Sequence, residues 1–122
     1  MQDLVGIVRT ETEMQQALVK LDEYKARMKN VSVIGHREYN PGWHTAIDLP
    51  CMLVVSESIT RAALERKESR GAQFRDDYPD KSAECATFNL VAKKAADGSM
   101  QVTRRSIVPL RADLKAVIEK MK

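Results

Sequence analysis

The chain is poor in aromatics, glycine and cysteine, and each scarcity narrows what it can be. Aromatic residues make up 5% of its 122 positions, so a core has to be built from Leu, Val, Ile, Met and Ala. Two cysteines, Cys51 and Cys85, cannot make the framework of a small disulfide-stapled domain. With two histidines scattered along the chain, they do not supply the ligand spacing of a zinc site. The five glycines, Gly6, Gly35, Gly42, Gly71 and Gly98, lie too far apart to write a dinucleotide fingerprint or a P-loop. No phosphate cradle is legible, and any redox cofactor has to be placed outside these residues. No apolar run reaches the roughly 18 residues of a membrane-spanning helix. Met1-Gln2-Asp3 does not begin the basic-then-apolar pattern of a secretory signal, and the cytoplasm is the expected location.

What is present is an ordinary soluble composition: 43% apolar, 30% charged. The length suits one domain, or one piece of a larger protein. Twenty Lys and Arg against seventeen Asp and Glu leave a net charge of +3. That excess permits nucleic-acid binding without arguing for it.

Residues 1–9 hold a short apolar stretch with Leu4, Val5, Ile7 and Val8, too brief to stand alone. Thr10 and Glu13 then have the spacing of a capping box. Met14, Ala17, Leu18, Leu21, Tyr24 and Met28 follow at intervals of three and four, which predicts a helix over 11–29. Residues 30–44 read as a connecting loop. Asp48 as N-cap and Pro50 in the first turn predict a second helix over 48–69, with Leu49, Met52, Leu53, Ser56, Ile59, Ala62 and Ala63 facing inward and Gly71 ending it. Cys51 reads as a small buried residue and Cys85 as part of a polar turn. Phe88-Asn89-Leu90-Val91-Ala92 and Met100-Gln101-Val102 alternate on either side of Asp97-Gly98, a hairpin over 86–106. Leu114, Val117, Ile118 and Met121 predict a last helix over 111–121. The fold class is thus mainly α: a small helical bundle, spectrin-repeat-like, with a C-terminal β-hairpin and a short last helix. We divide it into a bundle over 1–80 and a hairpin with helical tail over 81–122. An isolated hairpin is marginal in water, so the appendages call for another surface.

Two segments stand out chemically. Glu68-Ser69-Arg70-Gly71-Ala72-Gln73-Phe74-Arg75-Asp76-Asp77-Tyr78-Pro79 sets two arginines about a glycine and follows them with two aspartates. Gly71 suits a left-handed cap, and Arg70 and Arg75 can fork onto carbonyls or carboxylates of a neighbouring surface. The segment reads either as a cap with a solvated charge cluster or as a docking joint. Asn40-Pro41-Gly42-Trp43-His44 holds the single tryptophan, suited to anchoring a loop on a helix pair. His44 lacks the neighbour a general base needs. Ser56 and Ser58 lack a nucleophile-elbow setting. No catalytic, cofactor-binding or metal residue is assigned; the structural or domain-docking candidates are Trp43, His44, Ser69, Arg70, Gly71, Arg75, Asp76 and Asp77.

These two segments, the helix from Asp48 to Arg66 between them and the opening Val5-Gly6-Ile7…Arg9-Thr10-Glu11 resemble, in order, the C-terminal region of succinate dehydrogenase/fumarate reductase flavoprotein subunits. The resemblance covers about residues 1–80 strongly, and the remainder less distinctively. It implies a small helical bundle packed on a large FAD-binding domain of the same subunit, with the FAD and dicarboxylate sites upstream and none of them on this chain. The parent would exchange a hydride between succinate and FAD and pass electrons to an iron–sulfur subunit. It would sit on the cytoplasmic face of the inner membrane, touching the membrane only through other subunits. Where the family usually has His in Ser-Arg-Gly-Ala-His, this chain has Gln73, which can hydrogen-bond but not carry charge. L-Aspartate oxidase has a similar Glu-Ser-Arg-Gly segment; the Asn-Pro-Gly-Trp stretch favours the succinate/fumarate branch. Two readings outside the family are a stand-alone helical interaction module and a nucleic-acid-binding module on the basic residues of 61–75. Against the latter, Glu65, Glu68, Asp76 and Asp77 are mixed into that cluster.

Overall fold

The computed structural model describes residues 1–121. Its elements run β1 (Val8–Arg9), α1 (Glu11–Met28), α2 (Pro41–Glu65), β2 (Phe74–Arg75), a single 3₁₀ turn (Cys85–Thr87), β3 (Phe88–Lys94), β4 (Met100–Ser106) and α3 (Ala112–Lys120). The architecture is mainly helical with one antiparallel hairpin, as the periodicity implies.

Helix α1 starts where its capping box requires. The Thr10 hydroxyl accepts from Glu13 N, and the Glu13 carboxylate accepts from Thr10 N at 3.1 Å. Its inward stripe is narrower than predicted: Met14, Ala17 and Leu21 are buried, whereas Tyr24 is exposed. Helix α2 packs antiparallel to it. Lys25 meets Glu57 at 2.6 Å, and Glu11 at the start of α1 lies 3.9 Å from Lys67, just past the end of α2.

The start of α2 corrects the sequence reading. Asn40 is the N-cap, accepting from Gly42 N at 3.1 Å, and Pro41 opens the first turn. Residues 41–44 are therefore helix rather than loop, Asp48 is not a cap, and Pro50 lies inside the helix. Two Asx/Pro pairs compete in this stretch, and the earlier one wins because Asn40 also donates to Ile34 O and His36 O, both at 3.0 Å. A Cβ on Gly42 would stand 3.3 Å from Val33, so the loop crosses close over the first turn. The helix ends at Glu65, four residues before the predicted stop, with Arg66 extended as its C-cap.

The core sits where α1, α2 and the N-terminal stretch meet: Val5, Met14, Ala17 and Ala63, flanked by Leu4 and Leu64. The inward face of α2 is Leu53, Glu57, Thr60 and Ala63. Met52 and Ile59, predicted inside, are exposed, and so is Cys51. Glu57 takes a buried position because Lys25 and Arg61, at 2.6 and 2.7 Å, share its charge. Thr60 is sealed by donating to Ser56 O at 2.8 Å.

Two small sheets tie the rest on. β1 pairs in parallel with β2, setting Val8 against Phe74 and Arg9 against Arg75. β3 and β4 pair over their whole length, from Phe88 against Ser106 to Lys94 against Met100. The hairpin is pinned to the end of α2. Arg66 donates to Cys85 O and Phe88 O, Arg104 pairs with Glu65 and Glu84, and the Phe88 ring lies between the two guanidiniums at 5.4 and 4.7 Å. Cys85, expected in a polar turn, is buried at this joint. α3 is exposed all round.

Candidate docking joint

After α2 the chain loses its helical hydrogen bonds, and charged side chains replace them. Ser69 is a small knot. Its hydroxyl accepts from Arg75 N at 2.8 Å and donates to Tyr78 O at 2.9 Å, while its own N–H reaches Asp80 O. Arg70 and Gln73 exchange both backbone hydrogen bonds across a two-residue turn. Gly71 takes a φ of +60° there, a conformation that penalises other residues. It therefore serves that turn and not the end of α2, correcting the cap assigned from sequence.

Arg75 is the deepest charge, with a side chain 0% exposed. Its Nε and Nη2 form a bidentate fork on Asp77 at 2.7 and 2.6 Å. Nη1 donates to Ala63 O at 3.0 Å, one of the carbonyls left free at the end of α2. The Tyr78 ring stacks at 5.0 Å. Asp77 passes the link onward by accepting from Glu11 N at 3.0 Å in the first turn of α1. One arginine–aspartate pair therefore joins the end of α2 to the beginning of α1. The Arg75 fork that the sequence suggests for a neighbouring surface closes within the chain, because the turn at 70–73 folds its side chain back under α2.

Arg70 differs. Its Nε lies 3.0 and 3.1 Å from the two oxygens of Glu68, and Nη2 donates to Ser82 O, yet the side chain is 40% exposed. Glu68, fully buried, also accepts from Arg66 at 2.6 Å and from Ser82 N at 2.9 Å. The Arg70 guanidinium, with Ser82 N and Arg66, holds the Glu68 carboxyl down at about 2 despite its burial. Arg75 and the Glu11 amide do the same for Asp77, also about 2. Asp76 is exposed and contributes only its backbone N–H, to Arg9 O. Gln73 donates to Arg66 O at 3.1 Å, using the hydrogen-bonding capacity that needs no charge.

Trp43 and His44 lie in the first turn of α2, not in a loop. Their rings meet edge to face at 6.2 Å, with Arg37 at 5.9 Å from Trp43. This group is separated from the Arg75 joint by most of α2, about 30 Å at 1.5 Å per residue. The candidate residues thus form two clusters. Sequence reasoning missed Glu68 and Arg66 as members of the joint; the available signal was a carboxylate placed two residues from an arginine on either side. The basic residues of 61–75 are matched by carboxylates, Arg61 by Glu57, Arg66 and Arg70 by Glu68, and Arg75 by Asp77. They do not form a free phosphate-tracking stripe.

The starts of α1 and α2 do not fit a flavin dinucleotide. A pyrophosphate needs free N–H groups at a helix start and close backbone approach. The start of α1 is taken by its own Glu13 and by Asp77, and that of α2 by Asn40. Among the described residues no group of three His, Cys, Asp or Glu is gathered as a metal site, and no helix is long and apolar enough to cross a membrane.

The family described as "Fumarate reductase flavoprotein C-term" matches residues 1–118. The chain is 38% identical over 82 residues to the fumarate reductase flavoprotein subunit of Haemophilus influenzae, spanning 66% of this chain and 14% of that protein. It is 36% identical over 80 residues to the L-aspartate oxidase of Acinetobacter baylyi, spanning 66% of this chain and 14% of that enzyme. The solved structure of Mycobacterium smegmatis Sdh1 in complex with UQ1 superposes with a TM-score of 0.88 at 46% identity, covering 98% of this chain and 20% of that one. The chain thus spans about a fifth or less of the relatives it matches. A match over nearly every residue, in sequence and in fold, places this chain in the family of succinate dehydrogenase/fumarate reductase flavoprotein C-terminal domains.

Proposed function

We propose that this chain is the packing domain of a flavin-dependent succinate/fumarate oxidoreductase, seated on an FAD-bearing body and holding no reacting group itself. The parent subunit would interconvert succinate and fumarate by hydride exchange at FAD. It would sit in a complex with an iron–sulfur subunit and reach the cytoplasmic membrane face through other subunits. The observation that carries the reading is the pairing of a family match over residues 1–118 with starts of α1 and α2 occupied by the chain's own carboxylates and amide oxygen. Trp43, His44, Ser69, Arg70, Gly71, Arg75, Asp76 and Asp77 would then shape the domain or its contact with the body. Among these, Arg70 is the partly exposed arginine, and Arg75 the internal brace. Residues 1–80 and 81–122 would act as bundle and accessory tail.

The test is a graft in which this chain replaces the matched region of the mycobacterial relative. The expected result is a host that retains flavin and succinate turnover, while the free chain converts no succinate. A graft that loses its flavin, or a free chain that turns over succinate, overturns the proposal. Arg70→Ala in the graft is expected to lower flavin occupancy or thermal stability; unchanged values for both would remove Arg70 from the contact.

A further inference from the structure

One carboxylate serves two arginines at the joint. Arg66 and Arg70 both close on the buried Glu68. Arg66 turns Nη1 to Glu68 and Cys85 O and Nη2 to Phe88 O, and is mostly enclosed. Arg70 engages only Nε, on Glu68, and Nη2, on Ser82 O. The end-on edge of its guanidinium, Nη1 with the second Nη2 hydrogen, stays open on a side chain 40% exposed. It gives onto a cleft of about 350 Å³ between the turn at 70–73 and the start of β3. Gln73 and Asn89 line this cleft with amides, and Ala86, Phe88 and Ile107 give it an apolar side. Arg105 stands opposite Asn89 in the hairpin register, on the same face of the sheet. It enters no ion pair among the described residues. Arg104, on the other face, is shared by Glu65 and Glu84. Four arginines, 66, 70, 104 and 105, thus meet three carboxylates, 65, 68 and 84. The balance of one positive charge suits a monoanion.

We propose that this cleft binds a small monocarboxylate with an apolar body. The carboxylate lies on the open edge of Arg70, a planar fork matched to a planar group, on the side of Asn89 and Arg105. The hydrocarbon body lies against Ala86, Phe88 and Ile107. A tetrahedral oxyanion such as inorganic phosphate leaves that wall unused and brings more charge than the arginines leave unanswered. A carboxylate seated in this way bridges the joint after α2 to the hairpin. Without it the two are held together by Arg66, Arg104 and the Phe88 ring. The inference needs neither a flavin nor a second polypeptide, and it stands apart from the function proposed above.

The test is a titration of the isotope-labelled free chain with sodium butyrate, followed by NMR, at an ionic strength held constant with sodium chloride. The side-chain amide of Asn89 and the backbone amides of Phe88 and Ile107 are expected to move saturably, with half-saturation below about 10 mM. Asn89→Ala and Arg105→Gln change exposed side chains and leave the joint intact. Each is expected to weaken binding about three- to tenfold. Arg70→Lys keeps the charge and removes the fork, for an expected loss of about tenfold. Inorganic phosphate is expected to bind at least about fivefold more weakly than butyrate; equal binding overturns the apolar wall. Absence of saturable movement up to about 50 mM butyrate overturns the proposal. So does binding unchanged in Arg70→Lys, or unchanged in both Asn89→Ala and Arg105→Gln.

Discussion

Arg75 binds two helix ends because no water-exposed alternative is left to it. Its side chain is wholly enclosed, and its donors meet one carboxylate and the carbonyl of Ala63. Removing it strands Asp77 and an α2 carbonyl, so Arg75→Met should cost roughly 3–5 kcal/mol in a urea denaturation. A loss below about 1 kcal/mol would show that the pair is a surface ornament. The carboxylates also predict an acid response. Glu68 and Asp77 sit at about 2 when folded, against 4.5 and 3.8 for free side chains. The folded state therefore binds fewer protons than the unfolded one. Their stabilisation is complete above about pH 5 and is lost as pH falls from there toward 2. Urea midpoints at pH 7 and pH 3 should fall steeply for the native chain. The fall should be shallower for Glu68→Gln, which starts lower at pH 7. The segment was legible as a charged joint; its inward fold was not, because nothing in the residue order tells whether an arginine closes on its own chain or on another.

At the scale of elements, α1 was legible in its position and in most of its buried side, Tyr24 excepted. Thr10 and Glu13 mark its beginning, and the spacing of Met14, Ala17 and Leu21 its buried side. The start of α2 was misread because Pro50 imitates a first-turn proline; the ring is tolerated mid-helix at some expense to the hydrogen-bond ladder. Pro50→Ala is expected to raise the melting temperature of the free chain, since it restores a donor in a helix that stays continuous across this position. Asn40 caps α2 and holds the preceding loop at once, so Asn40→Ala should cost about 1–2 kcal/mol, measured by the same denaturation. The hairpin itself was legible from alternation about Asp97-Gly98, though its register was not: Lys94 pairs with Met100. Its attachment through Phe88 and two arginines was not, since Arg66 and Arg104 are distant in sequence.

At the scale of the whole molecule, what the sequence could not show was incompleteness of burial. Cys51, Met52 and Ile59 read as core residues and are exposed, because apolar spacing tells that a face is covered and not by which chain. The tail is the converse case. α3 lies exposed along its length, so deleting residues 108–122, which spares the bond from Ile107 N to Thr87 O, should leave the melting temperature of the free chain unchanged; a fall of several degrees would reveal a hidden packing role. The proposed function divides the labour between a domain that braces and a body that reacts. Titration of FAD into the free chain, followed by quenching of flavin fluorescence, tests it most directly. No saturable binding to the free chain is expected, with flavin retained by the grafted mycobacterial subunit. Saturable, stoichiometric binding of FAD by these 122 residues alone would contradict it.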